Sequence, residues 1–150
     1  HRDAFDGFNV VGGDPAGVFV VSTRHDEVLE LGPGVYGLSN DRLDTPWPKV
    51  VRARQRLRDA LRAGTVDPAD LLALLDDREG APDAELPDTG VGLPLERVLA
   101  PVRIVTDGYG TRASTAVVLN EGGTGSITER TWRPDGSMGD TVSQPLAGLG

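Results

Sequence analysis

The chain has 150 residues, 38% of them apolar, which is enough for one domain built on a single core. Its 23 acidic and 15 basic side chains give a net charge of -8, which repels a phosphate backbone and sets nucleic acid aside as a partner. The absence of cysteine excludes disulfides, thiolate metal sites and a thiol nucleophile within these residues.

His1 and His25 are the only imidazoles and share no ligand spacing, so neither a metal nor a cofactor is expected. No apolar run of about 18 residues and no signal-peptide pattern occurs, so the reading is of a soluble, cytoplasmic chain that does not span a membrane. The chain begins His-Arg-Asp, and Phe8 to Thr23 reads like the middle of a sheet. The expectation is a truncated chain, with residues 1–150 forming the C-terminal part of one domain.

In chain order, Phe8 to Val11 is a short apolar run closed by the turn signal Gly12-Gly13-Asp14-Pro15. Gly17 to Ser22 and Glu27 to Leu31 are β-rich runs separated by a polar hairpin segment, which places His25 in an exposed turn. Val35 to Ser39 is predicted as a further strand of this antiparallel meander, delivering Asn40 to a polar turn. Either Pro46 or Pro48 starts a helix, because a first-turn position needs no amide hydrogen, and Trp47, which precedes a proline, is biased to extended angles. Val50, Ala53, Leu57, Ala60 and Leu61 then follow helical spacing, and Gly64 ends the helix.

Asp67-Pro68 opens a second helix with a buried stripe of Leu71, Leu72, Leu74 and Leu75. Gly80 to Pro94 reads as a long loop, and Leu95 to Leu99 as a short helical turn. Val102 to Thr106 is predicted as a strand, Asp107 to Gly110 as a turn, and Thr111 to Leu119 as the strongest strand. The unbroken apolar end of that strand, Ala116 to Leu119, suggests burial on both faces. A glycine-rich turn over Asn120 to Gly125, a strand over Ser126 to Trp132 and a turn at Arg133 to Gly136 follow, and Ser137 to Gly150 reads as a weak tail. Gly122 to Gly125 is no phosphate loop, since neither a helix nor a Gly-Lys-Ser/Thr follows it. Strands, then helices, then strands make an α+β fold with helices packed on a largely antiparallel sheet.

Polar candidates are few. Asn40 is placed either to donate to an oxyanion or simply to end the strand as a turn former. Arg112 and Ser114 share one strand face, where they suit a carboxylate or phosphate, although an internal salt bridge suits Arg112 equally well. Trp47 suits a pocket wall or a core anchor, and Lys49 lies at the helix end that the dipole makes unfavourable for a cation.

Two blocks carry a family resemblance: Gly34 to Lys49, with a Ser-Asn strand end followed by Asp-Thr-Pro-Trp-Pro-Lys, and Tyr109-Gly110-Thr111-Arg112-Ala113-Ser114-Thr115. They resemble the NRDE family, also called the transport and Golgi organisation 2 family, over roughly residues 7 to 132. The resemblance implies the αββα sandwich of N-terminal-nucleophile hydrolases, incomplete here, in which an Asn like Asn40 helps form the oxyanion hole. It also implies ligand-binding roles for Trp47, Tyr109, Thr111, Arg112 and Ser114, and an N-terminal Cys nucleophile activated by its own α-amine. This chain has neither the Met-Cys start nor the Asn-Arg-Asp-Glu motif. The expected function is therefore that of a truncated member whose parent hydrolyses an amide substrate, with a non-catalytic haem- or lipid-handling trafficking module as the alternative.

Overall fold

The computed structural model describes residues 7–14, 17–64 and 66–148. Strands β1 (Asn9–Asp14), β2 (Gly17–Ser22) and β3 (Glu27–Leu31) form an antiparallel meander in the order β1-β2-β3. Helices α1 (Pro48–Ala63), α2 (Pro68–Leu75) and α3 (Leu93–Leu99) follow, and β4 (Ala113–Leu119), β5 (Gly125–Trp132) and β6 (Met138–Leu146) make a second antiparallel meander. Two three-stranded sheets with intervening helices are an α+β arrangement. Among the described residues no helix is long and apolar enough to cross a membrane.

Local chemistry sets the helix ends. Trp47 is extended (φ -64°, ψ 144°) and Pro48 is the first helical residue, which decides between the two prolines; Gly64, at φ 71°, closes α1 in the left-handed region that glycine tolerates. Asp67 caps α2 by accepting from the Asp70 backbone N–H at 2.9 Å. The Gly80 to Pro94 stretch contains a 3₁₀ turn at Asp83–Glu85, and its last two residues belong to α3.

Several expectations are corrected. Val35 to Ser39 joins no sheet, and Ser39 lies in a bend. Its backbone groups go elsewhere: the Gly37 N–H donates to Asp44 Oδ1 and the Asp44 N–H to the Gly37 oxygen, both at 2.7 Å, while Arg54 Nε donates to the Val35 oxygen at 3.2 Å. Asp44 holds φ 60°, a left-handed conformation that Asp adopts more readily than most residues. Val102 to Thr106 is likewise no strand, forming only the bridge Val105↔Gly110. β1 runs through Gly12 to Asp14, where a turn was expected, and Pro15 lies outside the described residues. Thr111 and Arg112 precede β4, which starts at Ala113.

The last correction concerns burial. In β4, Ser114 and Ala116 are buried while Val117 and Leu119 are more than half exposed, so the unbroken apolar run covers one face only. The expected tail is β6, a nine-residue strand paired to β5 and linked to it by the Thr128–Ser143 hydroxyl pair at 2.8 Å. Polar alternation there hid a strand that needs only one partner, since its own side chains are nearly all exposed.

The core lies where α2 faces β4 and β5. Leu72 is fully buried, Ala116 and Trp132 nearly so, and the Trp132 indole N–H donates to Ser114 Oγ at 3.0 Å. Leu72→Ala is expected to lower unfolding stability by about 3 kcal/mol, and Asp67→Ala by about 1 kcal/mol, in denaturant melts with unchanged slope. A loss below about 1 kcal/mol for Leu72→Ala would place the main core elsewhere.

Candidate functional site

A cavity of about 460 Å³ lies between the β2–β3 turn, the Asn40–Asp41 bend, the start of α1, the Leu86–Val91 segment and α3. The reciprocal Gly37–Asp44 bonds close the backbone around Asn40 and Asp41. The Asn9 side-chain amide pins the same bend to the first sheet, donating to the Ser39 and Asp41 backbone oxygens at 3.2 and 3.0 Å. Gly37 has to be glycine, because a Cβ there would lie 2.6 Å from a Val50 methyl.

Besides Arg24 and Asp88, three charged arrangements line this cavity. His25 Nε2 lies 2.8 Å from Asp41 Oδ1, and the His25 side chain is only 18% exposed, which corrects the exposed turn expected for it. Burial opposes ionisation of Asp41, yet the Arg42 backbone, His25 and Thr45 together hold its carboxyl below the usual carboxylate range. Lys49 Nζ donates to the Leu99 oxygen at 3.0 Å and lies 5.7 Å from the Trp47 ring centroid; burial pushes its ammonium below the ordinary value, with Glu96 opposing. Glu96 is itself buried and accepts from the Thr89 backbone N–H and hydroxyl at 2.7 and 2.6 Å.

The sequence-based candidates separate. Asn40, which is exposed, and Trp47 line this cavity. Tyr109, Thr111 and Arg112 line a different one, of about 260 Å³. Ser114 lines neither: it is buried, with its oxygen bonded to Trp132, while Arg112 is exposed ahead of β4. Thr111 Oγ1 accepts from the Ile104 N–H at 3.0 Å. A third concavity, of about 430 Å³, is mainly apolar, walled by Val50, Ala53, Leu57, Leu71, Leu74 and Ala116, and Lys49 borders both it and the polar cavity.

Sequence reasoning placed His25 in an exposed turn, weighed Lys49 only against the helix dipole, and gave Asp41 and Glu96 no site role. The available signal was weak: Lys49 is the only lysine among 150 residues, and it sits in a first turn where a cation needs some other reason to be. Among the described residues no group of His, Cys, Asp and Glu is arranged to hold a metal ion.

Comparison with known proteins follows the two sequence blocks. The family described as Transport and Golgi organisation 2 matches residues 1–134. A Transport and Golgi organization protein 2 homolog from Bos taurus is 31% identical over 144 residues, covering 84% of this chain and 51% of that protein. The Homo sapiens homolog is 30% identical over 140 residues with the same shares. The chain thus spans about half the length of these curated relatives.

Because Asp41 titrates lower in the folded state, its contribution to stability is complete above the unfolded value near 3.8 and is lost as the pH falls through the lower folded value. Asp41→Asn is expected to flatten the acid limb of the stability curve by up to one proton, read from denaturant melts between about pH 2 and 5. An acid limb as steep as the parent's would mean that the His25–Asp41 pair does not persist in solution.

Proposed function

Since the chain belongs to the Transport and Golgi organisation 2 family, we propose that it supplies one wall of a small-molecule site at the Asn40 cavity, and that the ligand is an amide substrate of the longer protein. The observation that carries this is the joint placement of Asn40, Trp47, Lys49 and the His25–Asp41 pair around one concavity. The Asn40 side-chain amide donates to the carbonyl oxygen as charge develops on it, and a pre-set donor of this kind is worth about 100- to 1,000-fold in rate. Trp47 offers a flat apolar wall, and Lys49 a partly desolvated cation for an acyl carboxylate. The 150 residues contain no cysteine, so a thiol nucleophile would come from outside them.

The αββα sandwich belongs to the same proposal. Val10 and Val28 flank Val21 on one face of the first sheet, and both are exposed. Val117, Leu119, Ile127 and Val142 form an exposed apolar set on the second sheet. Each face suits a further layer packed at sheet-on-sheet distance.

One observation favours a second reading, lipid handling: the apolar trough beside Lys49 pairs a hydrocarbon-lined wall with a cation at its rim. Haem is favoured less, since His25 Nε2 is engaged by Asp41 and the Tyr36 hydroxyl donates to the Gly32 oxygen.

In a protein of the relatives' full length, Asn40→Ala is expected to lower kcat for release of amine from simple acyl amides about 100-fold or more with little change in KM. If the parent releases no amine, or the variant matches it, the hydrolase reading falls. Saturable binding of a fluorescent fatty acid that Lys49→Ala weakens would then establish the lipid reading in its place.

A further inference from the structure

We propose that the cavity walled by Tyr109, Thr111 and Arg112 is a binding site for a small oxyanion, a phosphate or carboxylate group, held between the guanidiniums of Arg112 and Arg133. The two arginines line the same concavity of about 260 Å³, and none of the residues that line it is acidic. In a chain of net charge -8, this pocket carries two cations and no carboxylate on its wall.

The arginines differ in how they are held. Arg133 is positioned from behind: its Nη1 donates to Ser137 Oγ and to the Met138 oxygen, which fixes the fork. The Arg112 guanidinium is exposed and has no hydrogen-bond or ion-pair partner among the described residues, while its backbone oxygen is anchored by the Trp132 N–H at 2.8 Å. A fixed fork beside an uncommitted one suits a planar or tetrahedral oxyanion, which accepts two parallel hydrogen bonds from each guanidinium.

The rest of the wall removes what would repel an anion. The Gly136 oxygen is taken up by Arg103 Nη1 at 3.2 Å and Arg78 Nη2 at 3.3 Å. Arg103 is 1% exposed and shares Asp76 with Arg78, so two guanidiniums stand behind this wall against one carboxylate. The nearest carboxylates in sequence are Asp107, which is exposed, and Asp135, whose Oδ1 accepts from the Ser137 N–H at 2.8 Å and whose carboxyl is held low by Ser137 and, to a lesser degree, by Arg133; neither lines the cavity.

Glycine keeps the concavity open. Gly136 holds φ 76°, and a Cβ on it would lie 2.5 Å from a Val105 methyl; a Cβ on Gly110 would lie 2.7 Å from the Ile104 oxygen. Larger side chains at these positions would displace the wall on which the arginines stand.

The site shares no lining residue with the Asn40 cavity, so the two readings fail separately. The test titrates the 150-residue chain with inorganic phosphate, and separately with acetate, at constant ionic strength, by calorimetry. Saturable binding is expected, weakened about tenfold or more by Arg112→Ala and by Arg133→Gln and unchanged by Arg62→Ala, a surface control on α1. Displacement of phosphate by acetate assigns the site to oxyanions generally, and phosphate binding that acetate leaves untouched assigns it to phosphate. Absence of saturable binding of either anion, or binding that Arg112→Ala leaves unchanged, overturns the proposal.

Discussion

The carboxylate of Asp77 is the point on which the packing of the helices depends. It is buried, and it receives Arg52 Nε at 2.8 Å and Arg56 Nη1 at 3.0 Å from α1, as well as the Glu79 N–H at 2.8 Å. Its backbone oxygen accepts the Arg103 N–H at 2.7 Å, and the neighbouring Asp76 takes the Arg103 side chain. Arg103 in turn stacks on Trp132, 3.9 Å from the ring centroid, and Trp132 bonds Ser114. One dipeptide after α2 therefore ties α1, the approach to β4, and strands β4 and β5 together. A buried carboxylate is costly unless it is fully paired, and two guanidiniums with a backbone donor meet that cost here.

The opposite face of α1, two residues on from Arg52, serves the candidate site. Arg54 reaches Asp44 at 3.1 Å and the Val35 oxygen at 3.2 Å, holding the segment that presents Asn40. Hydrophobic spacing in α1 correctly points to a helix, and Val50 is its buried residue. Which polar residues matter could not be read from that spacing. Arg52, Arg54 and Arg56 are placed by carboxylates 10 to 25 positions away in sequence, and only tertiary geometry brings those together.

What the sequence made legible is what local chemistry decides: the caps at Asp67 and Gly64, a proline start for α1, the α2 helix with Leu72 buried, and the β2–β3 and β4–β5 hairpins. What it hid depends on competition for hydrogen bonds. Val35 to Ser39 has strand composition, but the Gly37 amide and the Val35 oxygen are satisfied by Asp44 and Arg54, so no ladder forms. β6 has the opposite history: its polar, proline-containing sequence looks irregular, yet β5 offers it a free edge. The family blocks were legible as motifs, and residues 1–134 match the family accordingly. Their spatial grouping was not, because Asn40 and Arg112 take their positions from different tethers.

Charge distribution links these observations. Most of the excess acid lies on exposed positions, whereas the arginines around Asp76 and Asp77 lie where α1, the segment before β4 and β5 converge. Guanidinium suits this arrangement better than ammonium would, since Arg103 makes bonds to Asp76 and Gly136 and a stacking contact with one side chain. Lys49, the lone ammonium, stands instead at the boundary between a polar and an apolar concavity, where a compact charge with one backbone partner leaves donors to spare. The arginines around Asp76 and Asp77 thus build the packing, whereas Lys49 faces the cavity beside Trp47 with donors left over, which is the physical reason to look for an amide ligand there.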